Sequence, residues 1–142
     1  MVSRYNPSRR PSLLWLARFV VGVVFVLNVS CALAFLLRPN NYAAGFELTG
    51  VQGRIMAQAM GILFLMWNAT YPLVLIHPDR YRTLFAIVLA QQAIGVIGET
   101  WLLASLPTGH PTLWATGTRF IVFDGLGLVG MGILFWLLGR SS

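Results

Sequence analysis

Apolar residues dominate four long stretches of the chain, separated by short segments rich in proline, glycine and charged residues. The stretches run approximately from Leu13 to Leu37, Val51 to Ile76, Tyr81 to Leu106 and Thr112 to Leu138. Crossing the roughly 30 Å hydrocarbon core of a bilayer takes about 20 apolar residues as a helix, which satisfies its own backbone hydrogen bonds. The pattern therefore predicts four membrane-spanning helices.

The overall composition agrees with this pattern. Hydrophobic residues make up 57% of the 142 residues and charged residues 10%, too few polar side chains to cover a water-soluble domain. The predicted fold is an all-α, polytopic integral membrane four-helix bundle that forms a single membrane domain over residues 1–142. We find no Walker loop, nucleophile elbow, zinc-ligand spacing or dinucleotide fingerprint, so a soluble type of active site is not expected.

The basic residues indicate topology rather than nucleic-acid binding. All ten are arginines, and they lie mostly at the predicted helix ends. One side of the predicted bundle carries Arg4, Arg9, Arg10, Arg18, Arg80, Arg82 and Arg140, and the other carries Arg38 and Arg54. The richer side is expected to be cytoplasmic, which places both termini in the cytoplasm and the protein in the cell membrane, plasma or inner. The first apolar stretch exceeds the ~15 residues of a signal-peptide core and is expected to be retained.

The longest connection, residues 38–50, is predicted to be an ordered external loop, which we call the elbow. It contains Asn40-Asn41-Tyr42 and a segment from Gly45 to Gly50 that is rich in turn-forming residues. The lone cysteine, Cys31, lies within the first span. It can form neither an internal disulfide nor a two-cysteine redox motif, which disfavours a thiol oxidoreductase.

Polar residues inside the second span share one helical face. Arg54, Gln58, Gly61 and Asn68 fall at positions i, i+4, i+7 and i+14, which places them on one stripe. Polar side chains are costly in lipid, so this face is expected to point to the interior. There it either bonds to other helices or lines a polar cavity.

The third span repeats this spacing with Gln92, Gly95 and Glu99. Counting inward from the predicted outer ends, Glu99 and Arg119 both lie about 10 Å deep, so we expect that they can pair. Such a pair either fixes the helix register or belongs to a ligand or proton site. Arg54 is a candidate second partner, with Gln58 between them. Two arginines against one carboxylate predict a net positive site and an anionic or electron-rich guest.

Asp124 is predicted to lie deeper, near the middle of the fourth span. It follows Arg119 by five positions, a rotation of about 140°, so the two need not share a partner. Asp124 is expected to face Asn68 or Gln91, or to stay protonated. Glycines in both spans are expected to permit close contacts between helices. These predicted contact positions are Gly95, Gly98, Gly127 and Gly130.

The two histidines do not suggest a haem site. His77 and His110 fall at span ends on opposite sides of the predicted bundle, whereas a bis-histidine haem needs two histidines facing each other at similar depth. No metal site and no cofactor is evident. The sequence leaves open whether the protein binds a quinone, a lipid, or a pigment held together with another subunit.

The start of the first span carries a family resemblance. Arg18-Phe-Val-Val-Gly22-Val-Val-Phe25 has an arginine four residues before a glycine and seven before a phenylalanine. This motif, at the head of the first of four predicted spans, resembles the DoxX/DoxD-like membrane proteins. Those proteins usually continue with a second glycine and a lysine, where this chain has Val29 and Ala32. The resemblance implies a four-helix architecture and an association with quinone-linked sulfur oxidation, and it assigns no catalytic residue.

Three functions follow as hypotheses. The first is a non-catalytic accessory subunit, or an assembly or stabilising factor, of a larger membrane complex, with other membrane subunits or further copies of the chain as partners. The second is a small carrier or binding bundle whose polar site in the outer-leaflet half takes a quinone, lipid headgroup or anion. The third is a quinone-linked redox protein. The absence of a catalytic constellation from the sequence disfavours an enzyme.

Overall fold

In a computed structural model, which describes residues 9–140, the chain consists over that range of helices joined by short turns, with no strand. Six α-helices follow one another, with a short 3-10 helix at Ala44–Phe46 after the second. Their bounds are α1 Arg9–Leu37, α2 Pro39–Ala43, α3 Gly50–Asn68, α4 Tyr71–Ile76, α5 Arg82–Ala104 and α6 Pro111–Arg140. The prediction of an all-α protein is confirmed at this level.

Three of these helices are long and apolar enough to cross a membrane. They comprise Pro11–Leu37 within α1, Arg82–Ala104 in α5 and Pro111–Arg140 in α6. Large apolar side chains on their outer faces are exposed, including Phe19, Ile97 and Leu126, as expected where lipid replaces water. These helices cover the first, third and fourth predicted spans. Their length and composition indicate a membrane protein.

The second predicted span differs from its prediction. Instead of one helix from Val51 to Ile76, it forms α3 and α4, with a turn at Ala69 and Thr70 between them. Pro72 lies in the first turn of α4. Its ring nitrogen has no hydrogen to donate to the carbonyl of Asn68, and the ring would clash with that carbonyl in a continuous helix. Hydropathy does not detect this break because the flanking residues are apolar.

Neighbouring helices run antiparallel. A Cβ on Gly61 of α3 would lie 2.8 Å from the backbone oxygen of Ala32, and one on Gly22 of α1 would lie 3.2 Å from Leu75 of α4. Residues later in α3 and α4 therefore contact residues earlier in α1, as expected for antiparallel helices. In the same way α6 runs against α1, where Gly130 approaches Val20.

The interior is packed at one end and hollow at the other. At the end away from the elbow, apolar side chains of α1, α4, α5 and α6 form a contiguous core. Its fully buried members include Val21, Val74, Phe85 and Met131, and Phe85 also contacts Phe135 edge to face at 5.3 Å between ring centroids. The polar residues predicted in the spans lie mostly in the other half, next to the elbow.

The elbow is ordered, as α2 followed by the 3-10 helix. Its chain direction reverses at Glu47, which adopts a left-handed conformation (φ 54°), and the amide of Leu48 bonds to the carbonyl of Ala43 at 3.0 Å. Gly53 allows α3 to start close by, since a Cβ there would come within 2.9 Å of the backbone carbon of Leu48. The elbow is therefore folded back onto the helices.

Candidate functional site

A cavity of about 510 Å³ lies between α1, α3, α5 and α6, with part of the elbow as a further wall. This volume falls within the range of small-molecule sites. Most of its wall is apolar, and aromatic rings supply much of it. The aromatic wall residues are Phe35, Tyr42, Phe46, Phe64, Trp67, Phe120 and Phe123.

The aromatic residues hold one another in place. Phe35 on α1 lies at the centre, with its ring centroid 5.8 Å from that of Phe64 and 6.4 Å from that of Phe120. Phe46 of the elbow stacks on Phe120 at 6.2 Å. Four segments distant in sequence thus meet through their rings. The sequence does not assign aromatic side chains to the site, because a phenylalanine in an apolar span is equally consistent with lipid contact.

Two carboxyl groups, those of Glu99 and Asp124, meet in the wall of the cavity. The side chains of Glu99 on α5 and Asp124 on α6 are in hydrogen-bonding contact. An ionised carboxylate can only accept, so a hydrogen bond between two of them requires a proton on one. Gly95 lies one turn before Glu99 and leaves room for Asp124 and for the ring of Trp67. Two carboxyls in such contact favour a form in which they share one proton, because two negative charges side by side repel each other.

A chain of hydrogen bonds supports this pair from the packed core. The hydroxyl of Tyr71 donates to Oε1 of Gln92 at 2.9 Å. The amide nitrogen of Gln92 donates to Oδ1 of Asp124 at 2.7 Å and to its backbone oxygen at 3.3 Å. With only 1% of its surface exposed, Gln92 fixes the orientation of Asp124. The sequence placed Gln92 in the interior but did not identify Tyr71.

Two buried oxygen atoms, both on residues that line the cavity, have no hydrogen-bond donor among the residues that the structure describes. They are Oδ1 of Asn68 and Oε2 of Glu99. Asn68 is 3% exposed. Its amide nitrogen donates to the carbonyl of Phe64 at 2.8 Å, so the side-chain atom that lacks a partner is the amide oxygen. Buried acceptors without donors are costly, by about 1–3 kcal/mol each.

Arg119 lines the same cavity but does not form the predicted ion pair with Glu99. Its guanidinium donates to the carbonyl of Ala115 and to Oγ1 of Thr116, both at 3.3 Å on its own helix. Arg119 precedes Asp124 by five residues and so lies about 7.5 Å along the axis of α6, toward the elbow. Asp124 takes the place beside Glu99 that was expected for Arg119.

Two other predicted site residues lie outside the cavity wall. Arg54 is exposed near the start of α3, where a long arginine side chain can reach the polar region beyond the hydrocarbon. Gln58 donates to the carbonyl of Leu36 at 3.4 Å and so links α3 to α1. The predicted balance of two arginines and one carboxylate is therefore wrong. The cavity has two carboxyl groups and one arginine.

The predicted contact glycines have different surroundings. Gly127 lies against Val24 and the amide of Gln92, and Gly130 lies against Val20. Around Gly98, by contrast, a Cβ would meet no atom within 4 Å, so this glycine is not at a close helix contact within the chain. Among the helix glycines, Gly61 makes the closest approach to a backbone atom, 2.8 Å to the oxygen of Ala32; the sequence assigns it only to a polar face.

A charged residue, Glu47, links the elbow to the start of α6, in addition to the stacking of Phe46 on Phe120. Glu47 accepts a hydrogen bond from Nδ1 of His110 at 2.5 Å, and the amide of Leu113 points to its other oxygen at 3.4 Å. The hydrogen bond from His110, followed by those from the backbone amides at the start of α6, lowers the pKa of Glu47 despite some desolvation. Because Asn41, Tyr42, Gly45 and Phe46 of the elbow line the cavity, this contact holds one of its walls.

The donor set gives no indication of a metal centre. Among residues 9–140, no three side chains of histidine, cysteine, aspartate or glutamate lie close enough together to hold an ion. The chain matches no protein-family model, no curated protein and no solved structure.

Proposed function

We propose that the protein binds a small, largely apolar molecule with one polar end in the cavity beside the elbow. One observation carries this proposal: an aromatic cavity of about 510 Å³ has two buried acceptor oxygens, on Asn68 and Glu99, that lack donors. Ligand sites typically combine such an apolar wall with a few convergent polar groups. A guest with donors would satisfy both oxygens, whereas an empty cavity leaves their cost unrelieved.

The proposal includes a four-helix membrane bundle in which α3 and α4 together make a fourth crossing. Support comes from their antiparallel contacts with α1, which extend from Ala32 opposite Gly61 to Gly22 opposite Leu75. Arginines stack on aromatic rings at the end away from the elbow, as Arg82 does on Phe135 and Arg140 on Trp136. By the positive-inside rule that end is cytoplasmic, which puts the cavity in the outer-leaflet half. Membership of the DoxX/DoxD-like group stays a prediction.

A matched pair of substitutions on α5 tests the binding function. Gly95→Leu places a side chain in the cavity, whereas Gly98→Leu, three residues further on, extends into open space. The full chain in lipid nanodiscs is titrated with 4-phenyl-1-butanol in a calorimeter, and the heat from empty nanodiscs is subtracted. We expect Gly95→Leu to weaken binding at least about tenfold and Gly98→Leu to leave it unchanged. Equal affinities in all three proteins would contradict the proposal.

The second candidate function is an accessory or assembly subunit of a membrane complex. Gly125 and Gly132 lie seven residues apart on α6, and a Cβ on either would meet no atom within 4 Å. Small residues left open on a helix suit contact with another transmembrane helix. Extraction in a mild detergent should then yield a complex that Gly132→Leu weakens. A protein that runs as a lone monomer before and after this substitution would contradict this candidate.

A further inference from the structure

The cavity wall contains two polar atoms that lack a hydrogen-bond donor among residues 9–140. Both of its unsatisfied buried atoms are oxygens, Oδ1 of Asn68 and Oε2 of Glu99. No donor on the described part of the cavity wall reaches either oxygen. The amide of Gln92 is held by Asp124, and Nε and Nη2 of Arg119 are held by its own helix. Neither oxygen receives a hydrogen bond from the polar lining residues Asn28, Asn41 and Tyr42. A guest that supplied only acceptors, such as a quinone or a carboxylate, would leave both oxygens as they are. The missing partner is therefore a group with N–H or O–H bonds.

The charge of the cavity points to the same kind of group. Glu99 and Asp124 contact each other instead of a basic side chain. Removing the shared proton would leave two negative charges side by side in a medium of low dielectric, where such charges need a counterion. Arg119 lies about 7.5 Å toward the elbow and does not form an ion pair with either carboxyl. A cation bound at the pair would provide the counterion.

The cavity wall is also suited to a cation with an apolar body. The ring of Trp67 approaches the backbone at Gly95, one turn from Glu99, and Phe64 lies one turn from Asn68. The negative face of an aromatic ring attracts ammonium groups, and the rest of the wall offers van der Waals contact to hydrocarbon. A quaternary ammonium would match the charge, but it has no N–H to donate to the two oxygens.

We infer that the guest is a protonated apolar amine, and that its binding releases the proton shared by Glu99 and Asp124. This inference rests on the proposed binding function and names its substrate class. In the exchange, R-NH3⁺ enters the site and donates to Glu99 and Asn68. The proton between the two carboxyl groups passes to water. One positive charge enters and one leaves, so the net charge of the occupied site equals that of the empty one.

The exchange makes binding depend on pH. The other titratable or charged side chains that face the pair are Cys31 from α1, Tyr71 from α4 through Gln92, and Arg119 from α6, while Tyr42 of the elbow lines the same cavity. In this arrangement the proton that the amine displaces comes from the carboxyl pair. A higher pH then favours the amine for as long as the amine itself stays protonated.

Calorimetry of the full chain in nanodiscs tests the inference on the unaltered protein. The probes are 4-phenylbutylamine, its neutral analogue 4-phenyl-1-butanol, and 4-phenylbutyl-trimethylammonium, each titrated in two buffers of different ionisation enthalpy. We expect the amine to bind with release of about one proton, and its affinity to rise between about pH 6 and pH 8. The alcohol should release none. The trimethylammonium probe should bind at least about tenfold more weakly than the amine, since it cannot donate.

Substitutions then locate the effect. Glu99→Gln and Asp124→Asn should each weaken amine binding at least about tenfold and abolish proton release, while changing alcohol binding less than about threefold. Asp79→Asn is the control, because this carboxyl lies in the turn between α4 and α5, away from the cavity. If either carboxyl variant fails to fold, the proton count on the unaltered protein decides alone.

The outcomes separate the inference from the function on which it rests. Equal affinity for amine and alcohol without proton release would overturn the amine exchange and leave apolar ligand binding intact. Amine binding that Glu99→Gln and Asp79→Asn affect equally would also overturn it. Binding of none of the three probes would count against the proposed function itself.

Discussion

Gln92 shows how much one amide side chain can organise in a low-dielectric interior. Its oxygen accepts from Tyr71 and its nitrogen donates to Asp124, so a single residue joins the packed core to the cavity wall. Both partners are otherwise surrounded largely by apolar groups. The orientation of the carboxyl pair therefore depends on a residue that does not itself carry charge.

Replacing Gln92 tests this role. Gln92→Leu keeps most of the volume but removes the acceptor of the Tyr71 O–H and the donor to a carboxyl oxygen of Asp124. We expect destabilisation of about 1–3 kcal/mol. Thermal unfolding in detergent, followed by circular dichroism, measures the loss. Gln52→Leu, on an exposed residue near the start of α3, is the control. Similar melting temperatures for the two variants would show that the Gln92 network does not stabilise the fold.

At the same scale, the sequence predicted the burial of Gln92 and Asn68 correctly, but it predicted neither the exposure of Arg54 nor the partner of Glu99. Gln92 and Glu99 were assigned to the interior from their spacing, because the cost of polar groups in lipid is a local property. The partner of Glu99 was not found. Helical periodicity gives the angle between Arg119 and Asp124 on one helix, but not how that helix is rotated relative to α5, so it could not decide which residue faces Glu99.

Among the helices, the crossing of α1 and α3 depends on the absence of a side chain at Gly61. We expect Gly61→Ala to destabilise the protein by about 1–3 kcal/mol, because the new Cβ would lie 2.8 Å from a backbone oxygen and 2.9 Å from Leu36. Gly98→Ala adds the same methyl group in open space and should be neutral or slightly stabilising. Melting temperatures of both variants in one detergent provide the comparison. A larger loss of stability for Gly98→Ala than for Gly61→Ala would contradict the close packing of α3 on α1 at Gly61.

The elbow should respond to acid. The pKa of Glu47 is lower in the folded elbow than in an unfolded chain. Glu47 therefore stabilises the elbow at pH values above the ordinary pKa of a glutamate. That contribution is lost as the pH falls through the lowered value. Hydrogen exchange of residues 39–46, corrected for intrinsic rates, should therefore rise on acidification. In Glu47→Gln it should be faster already at neutral pH and nearly independent of pH; protection equal to the unaltered protein would argue against this contact.

The division of the second span into α3 and α4 marks the limit of hydropathy at the level of elements. An apolar average over Val51 to Ile76 contains no information about backbone hydrogen bonds. Pro72 breaks those bonds without making the stretch more polar. The three other spans contain no proline away from their ends, and each of them forms an unbroken helix.

For the molecule as a whole, the number of crossings is open to a direct test. With Cys31 replaced by alanine, single cysteines are introduced as Asn40→Cys in the elbow, His77→Cys after α4 and Thr108→Cys between α5 and α6. If α3 and α4 cross the membrane together, an impermeant maleimide should label the first and third from outside and the second only after permeabilisation. Labelling of Asn40→Cys and His77→Cys from the same side would leave three crossings.

The stacking of Phe46 on Phe120 has a consequence for biogenesis. These rings are 74 residues apart in the sequence, and Glu47 reaches His110 over a similar separation. The elbow is synthesised before the helix on which it rests, and α5 is synthesised between them. Until α6 has been synthesised, the aromatic side chains of the elbow have no partner ring on it. Closure of the cavity is therefore a late step in assembly, after the membrane insertion of the individual helices.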